Sequence, residues 1–291
     1  MEASTPAQHY DEPIRARLKA CTAAIEVPRL RQSVAHLLGR GKLYRPRLVL
    51  ATCQAATGAA PDAHLGVACA TEILHTATLV HDDLPCLDDA QLRRGVKTVH
   101  LAFDEATAVL AGDALLNLAY ATALTDGRHL APAQSLAVLT VLTAATRSIM
   151  EGQVLDMLGE QHALSLEELV TLHSKKTGAL IGACCAIGAI LAGCRQPVID
   201  RLQEIGVGIG LGFQIRDDLL SVQSTEGVTG KTLSTDTDRD KATFPRLMGI
   251  DAAGEYAQQA LQRTQLAINE LQLVDPEPLL TLARQAIARG S

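Results

Sequence analysis

Residues 79–95, LVHDDLPCLDDAQLRRG, place Asp82, Asp83, Asp88 and Asp89 behind an apolar run and follow them with Arg93 and Arg94. Four carboxylates in so short a stretch repel one another unless they are solvated or share a strong positive charge. A helix arriving through ATEILHTATLV delivers Asp82 and Asp83 at its carboxyl end, where the helix dipole disfavours more negative charge. Pro85 breaks that helix and lets the chain bulge, returning Asp88 toward Asp82 across a separation that a regular helix would not align. Carboxylates gathered at a rim in this way suit a hard divalent cation. Mg²⁺ takes one or two of them and completes its shell with phosphate oxygens.

A second segment, GFQIRDDLLSV at 212–222, again ends an apolar run on a pair, Asp217 and Asp218. Ser221, one helical turn after Asp217, stands where another carboxylate would share its face, so this motif is one charge short. Basic residues accompany both segments: Arg93 and Arg94, then Lys42 and Arg45 in GRGKLYRP, Lys176 in KKTG, and Lys231 and Lys241 in a polar stretch at 223–245. Arginine and lysine beside cation-loaded carboxylates make a site for polyanions, above all diphosphates. Taken singly, each feature has a plainer explanation. A lone Asp-Asp pair is ordinarily a solvated helix face, a glycine-basic-proline run is common in loops, and His75 or His81 alone is ordinarily a surface or satisfied residue. Two acidic pairs, each ending an apolar helix, are more specific than any member.

The elements that must position these groups read as helices. Apolar residues recur every three or four positions over 64–82, 104–124, 133–158, 165–194 and 197–222, and sustained strand alternation is absent. Turn chemistry separates them at TGAAPD, LTDGRHLAP, CRQP and VDPEP. With 291 residues, 47% of them hydrophobic, and no linker of domain-separating length, the expectation is one all-α domain over 1–291, loosely ordered over about 1–13. The polar stretch 223–245 is long for a compact domain, and loops of that length are ordinarily functional or disordered.

A formal charge of −6 with dispersed Lys and Arg argues against a general nucleic-acid binder. Seven cysteines, an odd number without zinc-ligand spacing, read as buried small hydrophobes in a reducing compartment. The amino terminus carries Glu2, Asp11 and Glu12 and no apolar run, so a cytoplasmic protein without a signal peptide is expected. The one membrane candidate, 178–194, is short for a span and rich in Gly and Ala, which suits close packing in a bundle core.

In combination these residues resemble the trans-polyprenyl diphosphate synthases, from about residue 42 to 245 in the same order. DDLPCLD is similar to the family's first aspartate-rich motif in its bacterial and plant form, and FQIRDD to the start of the second. The resemblance implies an all-α isoprenoid synthase bundle around a central cavity, acting as a homodimer. Asp82 and Asp88 would hold Mg²⁺ with support from Asp83, and Asp217 and Asp218 would hold a further ion, three in all with substrate bound. Arg93 and Lys176 would bind the allylic diphosphate (dimethylallyl, geranyl or farnesyl). Lys42, Arg45, His75 and Arg94 would bind isopentenyl diphosphate. Thr177 and Gln214 would turn oxygens toward developing positive charge, Lys231 and Lys241 would belong to a closing loop, and Gln153 and Asp156 match a GQxxD element near the metals. The implied reaction joins isopentenyl diphosphate to an allylic cation, with stabilisation of the leaving diphosphate as the largest contribution.

Two departures stand out. Ser221 replaces the third aspartate of the second motif, which leaves an impaired regulatory subunit as one alternative. Arg40 stands where the family usually has a second glycine. Ala77 and Thr78, at the positions that floor the product tunnel in this family, are small, which favours the twenty-carbon geranylgeranyl product over farnesyl. Of other classes, a His-Asp phosphohydrolase built on His81 and Asp82 would need further histidine ligands, and a terpene cyclase would not need Lys42, Arg45 and His75.

Overall fold

The computed structural model describes residues 9–160, 163–227 and 242–288, with side chains of the second stretch described to 222. Lys231 and Lys241 lie outside the described residues. Thirteen helices follow in order among them: α1 (Asp11–Cys21), α2 (Pro28–Leu37), α3 (Tyr44–Thr57), α4 (Leu65–Asp82), α5 (Val99–Ala102), α6 (Glu105–Asp126), α7 (Pro132–Gly159), α8 (Leu166–His173), α9 (Ala179–Leu191), α10 (Gln196–Gly227), α11 (Phe244–Met248), α12 (Ile250–Glu270) and α13 (Glu277–Ile287). The long helices coincide with the apolar periodicities, with three differences.

The expected helix over 165–194 is interrupted by a π-turn, Ser174–Gly178, between α8 and α9. A wider turn of this kind re-aims side chains and is common at functional sites. Next, α10 runs on to Gly227, into a stretch read as loop. Finally, a two-stranded hairpin pairs β1 (Leu92–Arg93) with β2 (Val96–Lys97). Its two-residue turn, Arg94 and Gly95, has φ of 53° and 78°, the left-handed pair that matches strand twist. Within the stretch expected to be loosely ordered, the described residues are structured from Tyr10, which is buried, and α1 begins at Asp11.

The bundle packs on small residues. In α9 and its approach, Gly178 and Gly182 face Gly206 and Gly210 of α10. A Cβ at Gly206 would lie 2.7 Å from both the Gly182 Cα and the Ile181 carbonyl oxygen, so the helices touch through backbone. The core runs through α3, α4, α9 and α13, and a smaller apolar cluster gathers Leu169, Ile215, Leu219 and Phe244. Five of the seven cysteines are buried, as expected, whereas Cys86 is exposed and Cys194 partly so.

Where the sequence offered one candidate, four helical stretches are long and apolar enough to cross a membrane: Asp62–Asp82, Glu105–His129, Pro132–Gly159 and Leu166–Leu191. The first and last are mostly covered inside the bundle, at 67% and 72%, while Pro132–Gly159 is covered over only 22%.

Candidate active site

Asp82 is the last residue of α4, and Asp83 caps it. The chain then turns back: the Asp88 amide donates to the Asp82 carbonyl at 2.9 Å, which is the return that Pro85 predicts. Burial pushes the Asp82 carboxyl up to about 6, against the pull of nearby Lys176 and with the push of Asp88. Asp83 is fully buried. Its Oδ1 accepts from Arg93 Nε and Nη2 at 2.9 and 2.6 Å, while its Oδ2 has no partner among the described residues.

The second rim splits its pair. Asp217 is exposed at the cavity edge, whereas both Asp218 oxygens are engaged inside the protein. Oδ1 accepts from Gln214 Nε2 at 3.0 Å and Oδ2 from the Phe244 amide at 3.1 Å. Burial again pushes the Asp218 carboxyl up to about 6. The two aspartates expected to share an ion thus meet different surroundings, Asp218 being bonded to Gln214 and to the start of α11. Holding the Gln214 nitrogen leaves its Oε1 facing Thr177, whose hydroxyl donates to it at 3.5 Å. The Ser221 hydroxyl donates back to the Asp217 carbonyl at 3.0 Å, a local bond open to any serine in a helix.

Lys176 and Thr177 sit in the π-turn, which crosses α7 at Gly152. A Cβ at Gly152 would lie 2.4 Å from the Lys176 nitrogen, so only glycine lets the turn come this close. Lys176 Nζ donates to Asp156 Oδ2 at 2.5 Å. Gln153, next to Gly152 in the chain, has a buried Oε1 with no partner among the described residues. Gly152 is the glycine of the GQxxD element, and no type of local chemistry in the sequence marks a glycine as a crossing point.

Two cavities result. One of about 340 Å³ is bordered by Asp88, Asp156, Lys176, Gln214 and Asp217. The other, about 700 Å³, gathers Lys42, Arg45, His75, Arg93 and Arg94. Asp217 borders both. Arg94 is held by Glu72 Oε1 at 2.8 Å and by the Leu37 carbonyl at 2.9 Å. Burial, then Arg45, Arg94 and Arg93, hold His75 well below its ordinary value, so it is neutral near pH 7 and able to donate one hydrogen bond. Burial also lowers the Arg45 guanidinium, with Glu72 opposing. Leu79, Ile181 and Phe213 supply apolar wall.

Among the described residues no three His, Cys, Asp or Glu side chains form a group that could hold a metal by themselves. The donor set nevertheless fits Mg²⁺, which needs only one or two carboxylates per ion when phosphate oxygens supply the rest. Asp82, raised by burial and by Asp88, is the kind of carboxylate that a shared cation relieves.

A helical bundle with one acidic pair at the end of α4, a second within α10, which runs on past it instead of ending there, and a cation-lined cavity beside them defines an enzyme class that handles diphosphates. The comparisons carry this further. The Polyprenyl synthetase profile matches residues 27–272. Farnesyl diphosphate synthase of Bacillus subtilis is 40% identical over 245 residues, covering 82% of each chain. Geranylgeranyl pyrophosphate synthase, chloroplastic, of Catharanthus roseus is 38% identical, over 88% of this chain and 72% of that one. Geranyltransferase of Helicobacter pylori, solved with magnesium and isoprenyl diphosphate, superposes with a TM-score of 0.82 at 30% identity over 100% of both chains. The chain belongs to the polyprenyl synthetase family and is a trans-prenyltransferase.

His173 gives this site a pH signature. It lies against Phe244, its ring nitrogens are buried without a partner among the described residues, and burial lowers it to about 4. Its unfolded-state value is about 6.5, so between the two the unfolded chain binds more protons, and stability falls as pH drops from about 6.5 toward 4. In His173→Gln the loss of denaturation midpoint over this interval should be visibly shallower than in the wild type. Parallel slopes would refute the assignment.

Proposed function

We propose that the chain condenses isopentenyl diphosphate with allylic diphosphates to give geranylgeranyl diphosphate. The observation that carries this is that Asp217 borders both the Lys176 cavity and the Lys42–Arg45–Arg94 cavity, so two polyanion sites adjoin. Lys176 binds the allylic diphosphate, with Arg93 reaching it from the wall of the larger cavity. Lys42, Arg45, Arg94 and neutral His75 hold isopentenyl diphosphate, with His75 adding a hydrogen bond and no charge. Asp82, Asp88 and Asp217 would hold Mg²⁺, which supplies charge neutralisation for the departing diphosphate. Asp83 supports that rim through Arg93, and Asp218 supports the other through Gln214.

The allylic C–O bond breaks, and the cation formed faces the oxygens of Thr177 and Gln214, whose negative ends stabilise it. The isopentenyl double bond attacks that carbon, and the proton lost from the new cation passes to the departing diphosphate. Leu79, Ile181 and Phe213 keep water from the cation. Product length follows from Ala77, which is fully buried, and Thr78, whose hydroxyl is turned back to the His75 carbonyl. Neither projects a bulky group, which supports the twenty-carbon product; farnesyl diphosphate is the second reading, favoured by relatives of that name.

The reading extends to a homodimer. On α7, Leu136, Met150, Val154 and Met157 are 45–66% exposed, and Leu110 and Leu124 are exposed on α6. An apolar face of this extent is characteristic of an interaction surface.

With Mg²⁺, isopentenyl diphosphate and each allylic primer in turn, the dephosphorylated product should be geranylgeraniol. Farnesol as the end product would overturn the floor argument and keep the chemistry. Ser221→Asp should lower the half-saturating Mg²⁺ concentration by roughly tenfold; an unchanged requirement would show that the serine does not weaken the second rim. Light scattering should give twice the 30.8 kDa chain mass, and Met150→Glu with Met157→Glu should reduce it to one chain. A wild-type monomer would exclude the dimer.

A further inference from the structure

The segment joining α2 to α3 carries Lys42, leads directly to Arg45 in the first turn of α3, and is irregular. Gly39 has φ of 77°, and Leu43 is a buried non-glycine residue in the left-handed region at φ 55°. Such backbone persists only where its surroundings hold it. On one side Gly41 lies flat against Arg94, since a Cβ there would be 2.8 Å from the guanidinium carbon. Arg40 Nε donates to the His36 carbonyl at 2.7 Å.

The other side is held by α1. Arg15 donates through Nη1 to the Gly39 carbonyl and through Nη2 to the Gly41 carbonyl, the latter at 3.3 Å. One turn earlier on the same helix, Asp11 accepts from Arg47, through Nε at 2.6 Å and through Nη2. These two residues grip the segment on either side of Lys42 and Arg45. Both precede residue 27, where the family profile begins, and belong to none of its motifs.

We propose that α1 is a clamp for the isopentenyl-diphosphate segment, with Arg15 as a positioning residue. It touches no substrate. Two planar donors fix the carbonyls flanking Arg40, and with them the path that presents Lys42 and Arg45 to the cavity. A diphosphate bound by several cations loses affinity when the backbone carrying two of them drifts. The inference rests on assigning the larger cavity to isopentenyl diphosphate.

The test compares steady-state kinetics of Arg15→Ala, Arg15→Lys and Arg17→Ala with the wild type. Arg17 is the control: it lies on α1 and pairs with Asp126 of α6, through Nε at 2.8 Å, without reaching the segment. Arg15→Ala should raise KM for isopentenyl diphosphate roughly tenfold and leave kcat and the allylic KM unchanged to about twofold. Arg15→Lys keeps the charge but only one donor centre, so it should fall between, and Arg17→Ala should match the wild type. The clamp is refuted if Arg15→Ala leaves the isopentenyl KM unchanged, if Arg17→Ala raises it as much, or if Arg15→Lys is indistinguishable from the wild type, which would reduce the effect to charge. Should Arg15→Ala fail to fold, the lysine variant still decides. A wild type that does not consume isopentenyl diphosphate would instead refute the cavity assignment, and the clamp with it.

Discussion

Two acidic pairs, one at the end of α4 and one within α10, each with a carboxyl raised by burial toward neutrality, are the constraint around which the rest of the site is arranged. Asp82 and Asp218 each reach about 6 because desolvation outweighs the stabilisation that their neighbours supply. Every strong interaction nearby answers that imbalance. Arg93 pairs with Asp83, Lys176 leans on Asp82 and Asp156, and Gln214 with the Phe244 amide holds Asp218. Partly enclosed pairs of this kind gain little net stability, because the hydration they lose offsets much of their attraction. Their contribution is to hold carboxylates and cations at set positions around a polyanion.

Bringing those positions together requires helices that approach more closely than ordinary side chains allow. The π-turn reaches α7 only across Gly152, and α9 reaches α10 through backbone at Gly182 and Gly206. Widening the helix at Ser174–Gly178 then turns Thr177 toward Gln214. Short approaches and an altered helical pitch do for this site what loops do in many enzymes, and they do it on rigid elements.

The geometry also separates the competing classes. A His-Asp phosphohydrolase would turn His81 into the site, but its Nε2 lies 3.2 Å from the Val109 carbonyl and 3.7 Å from Asp113, on the face toward α6. A terpene cyclase would have no use for the cavity of Lys42, Arg45 and His75. An impaired subunit finds its support in Ser221 alone, and that hydroxyl is turned back to its own helix while Asp217 keeps its place at the rim.

Much was legible in the sequence because it is local. Apolar periodicity located the long helices, Pro85 dictated the return of Asp88 to Asp82, and the order of acidic and basic motifs named the chemistry. The residues themselves could not reveal which side chains answer which. Asp217 and Asp218 are neighbours in sequence, yet one borders the cavities and the other serves Gln214 and Phe244, because a rotation of 100° per residue on α10 sends them to different surroundings. Arg93 and Arg94 are likewise adjacent and reach Asp83 and Glu72 separately, through a hairpin turn that helical periodicity does not announce. Arg15 is an unremarkable surface arginine until α1 is laid against the segment after α2. Sequence determines which charges a helix carries and where it ends; only packing decides which of them face one another, because partners such as Arg15 and Gly39 are joined by the fold and by nothing in the local chain.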